Sequence, residues 1–150
     1  MKNILFVAVF LGLVIYVIAA NLPATVSGEG IHFYEGLFSE VLKKAKEENK
    51  LVFVDVSASW CGYCKKLKRN AFSDKQVGSY FNEHFINIDI DGEKGEGAAI
   101  AQQYNVQGYP TLFVIDKDGK VILYSSGYMG THDLMKFGET AFKKISDSSK

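Results

Sequence analysis

Hydrophobic and polar positions along this chain switch between a helical period and short unbroken apolar runs. Between Tyr34 and Glu48, Leu37, Phe38, Val41, Leu42 and Ala45 form one stripe while Lys43, Lys44, Lys46, Glu47 and Glu48 face elsewhere. That spacing predicts an amphipathic helix. Leu51 to Val56 is a short, mostly apolar run, the pattern of a strand covered on both faces. A helical stretch follows Cys61, bends or restarts near Ser73-Asp74, and turns Val77, Tyr80 and Phe81 inward before a second strand, Phe85 to Ile90. Gly92 to Gly97 reads as a polar loop, and Ala98, Ile100, Ala101 and Tyr104 fit a short helix. Thr111 to Ile115 and Val121 to Tyr124 are strand-like runs joined by Asp116-Lys117-Asp118-Gly119, a hairpin signature. Thr131 suits a helix N-cap, and Leu134, Phe137, Ala141 and Ile145 keep helical spacing beyond it. Helix, strand, helix, strand, helix, hairpin, helix predicts an α/β fold, a central mixed β-sheet with helices on both faces.

The chain before residue 33 follows a different pattern. Lys2 precedes an apolar run from Ile4 to Ala20, and polar Asn21, Pro23, Thr25, Ser27 and Gly28 come next. The run exceeds a usual signal core and sits at the short end of the roughly 17 to 25 residues that span a bilayer. Residues 1–20 are therefore read as a signal peptide cleaved near Ala19 or Ala20, or as an N-terminal membrane anchor. Residues 21–32 are read as a linker and 33–146 as one folded domain. On either reading Lys2 stays on the cytoplasmic side, which places the domain in the periplasm or on the extracytoplasmic face of the membrane.

Composition narrows the class without naming a partner. The chain is 47% hydrophobic and 13% aromatic, which describes a globular protein. Roughly 130 residues remain after the apolar head, enough for one core and too few for two ordinary domains. Its 17 basic and 17 acidic residues are interspersed, so neither a nucleic-acid surface nor a strongly charged partner is expected.

The chemistry is concentrated in Trp60-Cys61-Gly62-Tyr63-Cys64-Lys65, which holds the only two cysteines. A thiolate attacks disulfides, and a cysteine at a helix N-terminus has its pKa lowered by the unpaired N–H groups there. Cys61 is thus the expected exposed nucleophile, and Cys64, one turn further, is placed to resolve a mixed disulfide. Lys65 and Lys66 add positive charge nearby. Two other readings stay open at this point. A structural disulfide would close a very short loop and stabilise little. A metal site would need ligands beyond the two sulfurs, and His32, His84 and His132 lack ligand spacing. No metal and no other cofactor is expected.

With these residues in view, the chain resembles the thioredoxin superfamily over Phe33 to Ile145. The resemblance rests on the Trp-Cys-Gly-Tyr-Cys-Lys motif, on Asp55 six residues before Cys61, on Tyr109-Pro110-Thr111 ahead of an apolar strand, and on Gly127 after the hairpin. It is similar above all to exported thioredoxin-like proteins and to the soluble C-terminal domains of membrane disulfide-interchange reductases. The resemblance implies a three-layer thioredoxin-like sandwich. It also implies that Pro110 is a cis-proline facing the disulfide, with substrate backbone docking beside Tyr109; an ordinary trans proline opening the strand is the alternative. Trp60, Gly62, Tyr63 and Gly127 would contribute substrate contact, although a lone Trp60 also fits simple core packing.

Asp55 interrupts an apolar strand, where a carboxylate is costly to ionise without a partner, so its pKa should rise. Such a group near Cys64 can take that thiol's proton. An outward-facing or structurally hydrogen-bonded Asp55 is the alternative. In many thioredoxins a lysine on the neighbouring strand approaches this acid, and the matching position here is Asn87. The dipeptide between the cysteines is Gly62-Tyr63, where general reductants of the family commonly carry Gly-Pro. Potentials on this fold span roughly 150 mV, about 7 kcal/mol for the two-electron couple, so the motif leaves direction open. The expected activity is an extracytoplasmic thiol-disulfide oxidoreductase, a monomer that reduces protein disulfides and is recharged by a membrane electron donor. Oxidase or isomerase action on the same residues, and a non-catalytic binding or metal-handling module, are the alternatives.

Overall fold

The computed structural model describes residues 30–148. The apolar segment 1–20 and most of the linker lie outside the described residues. The element order is α1 (Phe38–Glu48), β1 (Leu51–Ser57), α2 (Gly62–Arg69), α3 (Lys75–His84), β2 (Phe85–Asp91), α4 (Gly97–Gln103), β3 (Thr111–Ile115), β4 (Val121–Ser126) and α5 (Thr131–Ser148).

Local chemistry sets several of these boundaries. Helix α1 starts at Phe38, later than the Tyr34 start of the predicted stretch, because the Leu37 N–H donates to Glu40 Oε2 at 2.9 Å and the Phe38 N–H to Glu96 Oε1 at 2.7 Å. These acceptors satisfy orphan donors of the first turn. Asn49 ends the helix in the left-handed region at φ 51°, as helix C-termini favour. The restart near Ser73-Asp74 is a true break. Asp74 caps α3 by accepting from the Gln76 and Val77 N–H groups at 2.9 and 3.0 Å. In the hairpin, Asp116 Oδ1 accepts from the Asp118 and Lys120 N–H groups, and Gly119 supplies φ 84°.

The four strands form one sheet in the order β2-β1-β3-β4, with β1 parallel to β2 and antiparallel to β3, and β3 antiparallel to β4. All seven residues of β1 are buried. Val52, Val54 and Val56 pack with Ile86, Ile88 and Ile90 under α1 and α4 through Phe38, Val41, Ala45, Ile100 and Tyr104. The alternate residues face the second layer, where Leu51, Phe53 and Phe85 meet Leu67 of α2, Phe81 of α3, and Leu134 and Phe137 of α5. This is the thioredoxin-like three-layer sandwich with a mixed sheet.

The stretch 30–34, which overlaps the end of the polar connection, lies along the β2 side of the sheet. Ile31 N–H donates to Phe72 O and Tyr34 N–H to Asn87 O, both at 2.7 Å, and Phe33 pairs with Asn87 as an isolated parallel bridge. The approach is close enough to require glycine. A Cβ on Gly30 would lie 1.9 Å from Phe72 O, and one on Gly78 would lie 2.4 Å from the Gly30 carbonyl carbon.

Phe53 is fully buried, and its ring centroid lies 4.8 Å from that of Phe81 and 6.0 Å from that of Phe72, both edge-on. Truncation there opens a cavity that rigid neighbours fill poorly. Phe53→Ala is expected to lower the unfolding free energy by about 3–5 kcal/mol, read from denaturant unfolding at fixed redox state. A loss below about 1 kcal/mol would contradict that packing.

Candidate active site

Strand β1 ends at Ser57, and the chain turns through Ala58, Ser59 and Trp60 into α2. Cys61 is the N-cap of that helix: its backbone is extended at φ −71° and ψ 110°, and its Sγ accepts from the Cys64 N–H at 3.0 Å. A sulfur thus takes the place usually held by a hydroxyl or carboxylate oxygen at a helix start. The two cysteines are joined, with an S–S separation of 2.07 Å and Cα atoms 5.3 Å apart.

Both sulfur-bearing residues are covered in this state, Cys61 to 3% and Cys64 to 2% exposure, which corrects the expectation of an exposed Cys61 sulfur. The reason is packing, since Ala58 and Tyr109 close over the pair. The exposed groups are their neighbours. Trp60 and Tyr63 are 66% and 64% exposed, so Trp60 is a surface residue and not core filling. Trp60 Nε1–H donates to Glu93 Oε2 at 2.9 Å and its ring meets Tyr109 edge-on at 6.0 Å. Tyr63 lies 6.2 Å from the Tyr128 ring, over which the Lys66 ammonium sits at 4.7 Å. Gly62 opens α2 in free space, where a Cβ would meet nothing within 4 Å. Burial, then the negative charges of Glu93 and Asp91, push the Tyr109 phenol upward from its ordinary pKa.

The Tyr109–Pro110 peptide is cis and Pro110 is buried. Gly127, at φ 101°, donates its N–H to Pro110 O at 2.8 Å, tying the end of the hairpin to the proline turn. Tyr128, which follows it and joins Tyr63, was not among the residues singled out from the sequence. Its only signal there was its place after Gly127.

Asp55 faces the α2 side of the sheet with no exposure, and among the described residues neither carboxylate oxygen has a hydrogen-bond partner. Desolvation raises its pKa well above the ordinary 3.8; the negative charge of Asp89 raises it further, and the Lys68 ammonium opposes this. The residue across from Asp55 on β2 is Asp89, not Asn87. Asn87 stands opposite Phe53, and its Nδ2–H donates to His32 O and Asn82 Oδ1, holding the arm before α1. A lysine does approach the acid, but from the helix. Lys68, one turn beyond Cys64, makes an ion pair with Asp89. A cleft of about 360 Å³ beside this pair is lined by Ser57, Ala58, Ser59, Cys64, Lys65, Lys68, Asp89 and Asp91. Among the described residues no three His, Cys, Asp or Glu side chains gather as a metal cage.

The arrangement can hold one electron pair in a reversible S–S bond, present an N-capping sulfur to an incoming disulfide, and offer a buried carboxylate as a proton acceptor. Comparisons with known proteins agree with that chemistry. A family model described as a thioredoxin-like domain matches residues 38–142. The thiol:disulfide interchange protein DsbD of Campylobacter jejuni strain RM1221 is 29% identical over 104 residues, 69% of this chain but 18% of that protein. This chain therefore spans less than a fifth of that relative's length. The solution structure of a proposed disulphide-isomerase from Bacteroides thetaiotaomicron matches with TM-score 0.68 and 41% identity, covering 77% of this chain and 96% of the other. The oxidised C-terminal domain of Neisseria meningitidis DsbD matches with TM-score 0.61 over 73% of this chain and 99% of its own, and at 23% identity it shares the fold.

The Asp55 carboxyl leads to a measurable pH dependence. A group whose folded pKa is raised stabilises the fold fully below its unfolded value and loses that contribution as pH rises through the folded value. Unfolding free energy of the oxidised protein should therefore fall as pH climbs above the ordinary carboxylate value. Asp55→Asn is expected to flatten that fall and to leave the protein more stable than the parent at the alkaline end of the range, read from denaturant unfolding at each pH. Equal destabilisation by Asn at both ends of the range would mean that Asp55 is not an unpaired buried acid.

Proposed function

This chain belongs to the thioredoxin-like domain family and is a disulfide oxidoreductase with a Cys61–Cys64 pair, and we propose that it works outside the cytoplasm as a reductase of protein disulfides. The observation that carries this reading is the cysteine pair capping α2, with a buried, unpartnered Asp55 on the sheet face that α2 covers. In the reduced enzyme the Cys61 thiolate, favoured by the helix N-terminus, attacks one sulfur of a substrate disulfide. A mixed disulfide forms and the first substrate thiolate leaves. Asp55 takes the proton of the Cys64 thiol, and the Cys64 thiolate then attacks Cys61 Sγ. The Cys61–Cys64 bond closes and the second substrate sulfur leaves with the electron pair. Two electrons have moved from enzyme to substrate, and the closed state is the one the structure holds.

Substrate backbone is placed beside Tyr109 and Pro110, with Trp60, Gly62 and Tyr63 on the rim and Gly127 holding the proline turn. The export reading of residues 1–20 and the similarity to disulfide-interchange proteins support an extracytoplasmic site and a membrane electron donor. An oxidising compartment would otherwise leave the pair closed. A second reading, oxidase or isomerase, is favoured by Tyr63 between the cysteines and by the name of the Bacteroides relative.

Cys64→Ser is expected to accumulate mixed disulfides through Cys61 on exposure to oxidised protein substrates, seen as thiol-sensitive adducts on non-reducing gels, and Cys61→Ser is expected to form none. The absence of adducts with Cys64→Ser would remove the assigned roles. Equilibration with glutathione decides direction, since a potential more oxidising than about −200 mV would favour the second reading.

A further inference from the structure

Asp55 is sealed from solvent, yet a proton acceptor that works in every catalytic cycle must also lose its proton. Two residues to which the cysteine motif assigns no role lie between the strand position of Asp55 and the surface. Asp89 is the cross-strand neighbour of Asp55 on the same sheet face, and two carboxylates so placed repel when both are charged. Its side chain is fixed at both oxygens, Oδ1 accepting from Ser57 Oγ at 3.1 Å and Oδ2 pairing with Lys68. Lys68 and Asp89 are 41% and 30% exposed at their side chains. They line the cleft that also reaches Cys64, and a second cleft of about 380 Å³ opens on their other side beneath Ile31 and Phe33. The pair thus stands beside the strand position of the buried acid and is itself partly in water.

An exposed ion pair alone contributes little to stability. Here the two charges act on Asp55 with opposite sign, Asp89 raising and Lys68 lowering its proton affinity. On the other elements packed against this face, β3 puts Leu112 opposite Asp55 and α5 contributes Leu134, Phe137 and Ala141, while Cys64 and Lys65 of α2 and Asp91 of β2 also line the cleft. We propose that Lys68 and Asp89 are positioning residues of the redox site, which together set the pH at which Asp55 accepts the Cys64 proton and pass that proton to the cleft. The inference rests on the role given to Asp55 above. In the step, Cys64–SH and Asp55–COO⁻ become Cys64–S⁻ and Asp55–COOH. After Cys64–S⁻ closes the disulfide, the Asp55 proton moves to Asp89 and then to cleft water, and the departed substrate thiolate takes a proton from solvent.

The test uses the reduced full chain and an aromatic disulfide whose released thiolate absorbs visible light. The first equivalent reports attack by Cys61 and the second reports closure by Cys64, each followed by stopped flow across pH. Lys68→Met is expected to slow the second phase near neutral pH and move its profile upward. Asp89→Asn is expected to speed it and move the profile down, each by about two- to five-fold in rate, the size of a half-exposed charge. Lys68→Arg should retain the parent profile, and the first phase should keep its amplitude in all three. Shifts in the same direction, or none, while Asp55→Asn still abolishes the pH dependence of the second phase, would overturn this inference alone. An unaltered profile in Asp55→Asn would overturn both it and the proton-acceptor role of Asp55.

Discussion

The buried carboxyl of Asp55 is the constraint around which the rest of the site is arranged. Strand β1 is covered on both faces, and six of its seven positions meet that environment with apolar or small side chains. The seventh is an acid without a hydrogen-bond partner. Such a group is expensive to ionise, so the surrounding structure either neutralises it or uses it. The nearest cation, Lys68, is held by Asp89 instead of by Asp55 itself. The proton affinity of the acid is thereby left dependent on a charge pair that is half in water.

The fold places this acid and the thiols in fixed relation. Packing of Leu67 and Phe81 against Phe53 and Leu112 holds α2 and α3 on the same face of β1 that carries Asp55. The turn from Ser57 to Trp60 then delivers Cys61 as the first cap of α2, and one helical turn brings Cys64 back over the sheet. On the outer side, the cis Tyr109–Pro110 turn brings Tyr109 onto the disulfide and is tied by Gly127 to the end of the hairpin. Elements distant in sequence therefore converge at the carboxyl end of β1, where the sheet's own hydrogen bonding ends.

Much of this was legible from residue pattern, because each strand and helix carries its own period and cap. The run from Leu51, the Asp74 restart and the Asp116 turn are local signals, and local chemistry decides them. The apolar stripe from Leu37 marks α1 well, but the Tyr34 start of the stretch does not hold, since Glu96, from a distant loop, caps Phe38. The site showed the same division. Cys61 and Cys64 were evident from spacing and Asp55 from its misfit in an apolar run. The partner of Asp55 was not, because strand register depends on how two segments slide past one another, and a shift of two residues exchanges Asn87 for Asp89 on the same face. The cover over Cys61 depends on Ala58 and Tyr109, and Tyr109 comes from a turn far along the chain, shown in sequence only by its proline.

Direction of electron flow follows from which redox state the protein stabilises. A strongly oxidising dithiol owes its potential to a reduced form whose thiolate is well stabilised. The helix N-terminus at Cys61 works that way. Other features oppose it. Two of the lysines that follow Cys64 are directed elsewhere, Lys66 onto the Tyr128 ring and Lys68 onto Asp89. Asp89, beside the unpartnered Asp55, puts negative charge on the face that α2 covers, which favours the neutral form of Asp55 and disfavours a second anion there. The carboxylate charge makes the thiolate-bearing state less favourable relative to the closed disulfide, against the pull of the helix N-terminus, and the two lysines turned away from the sulfurs do little to offset it.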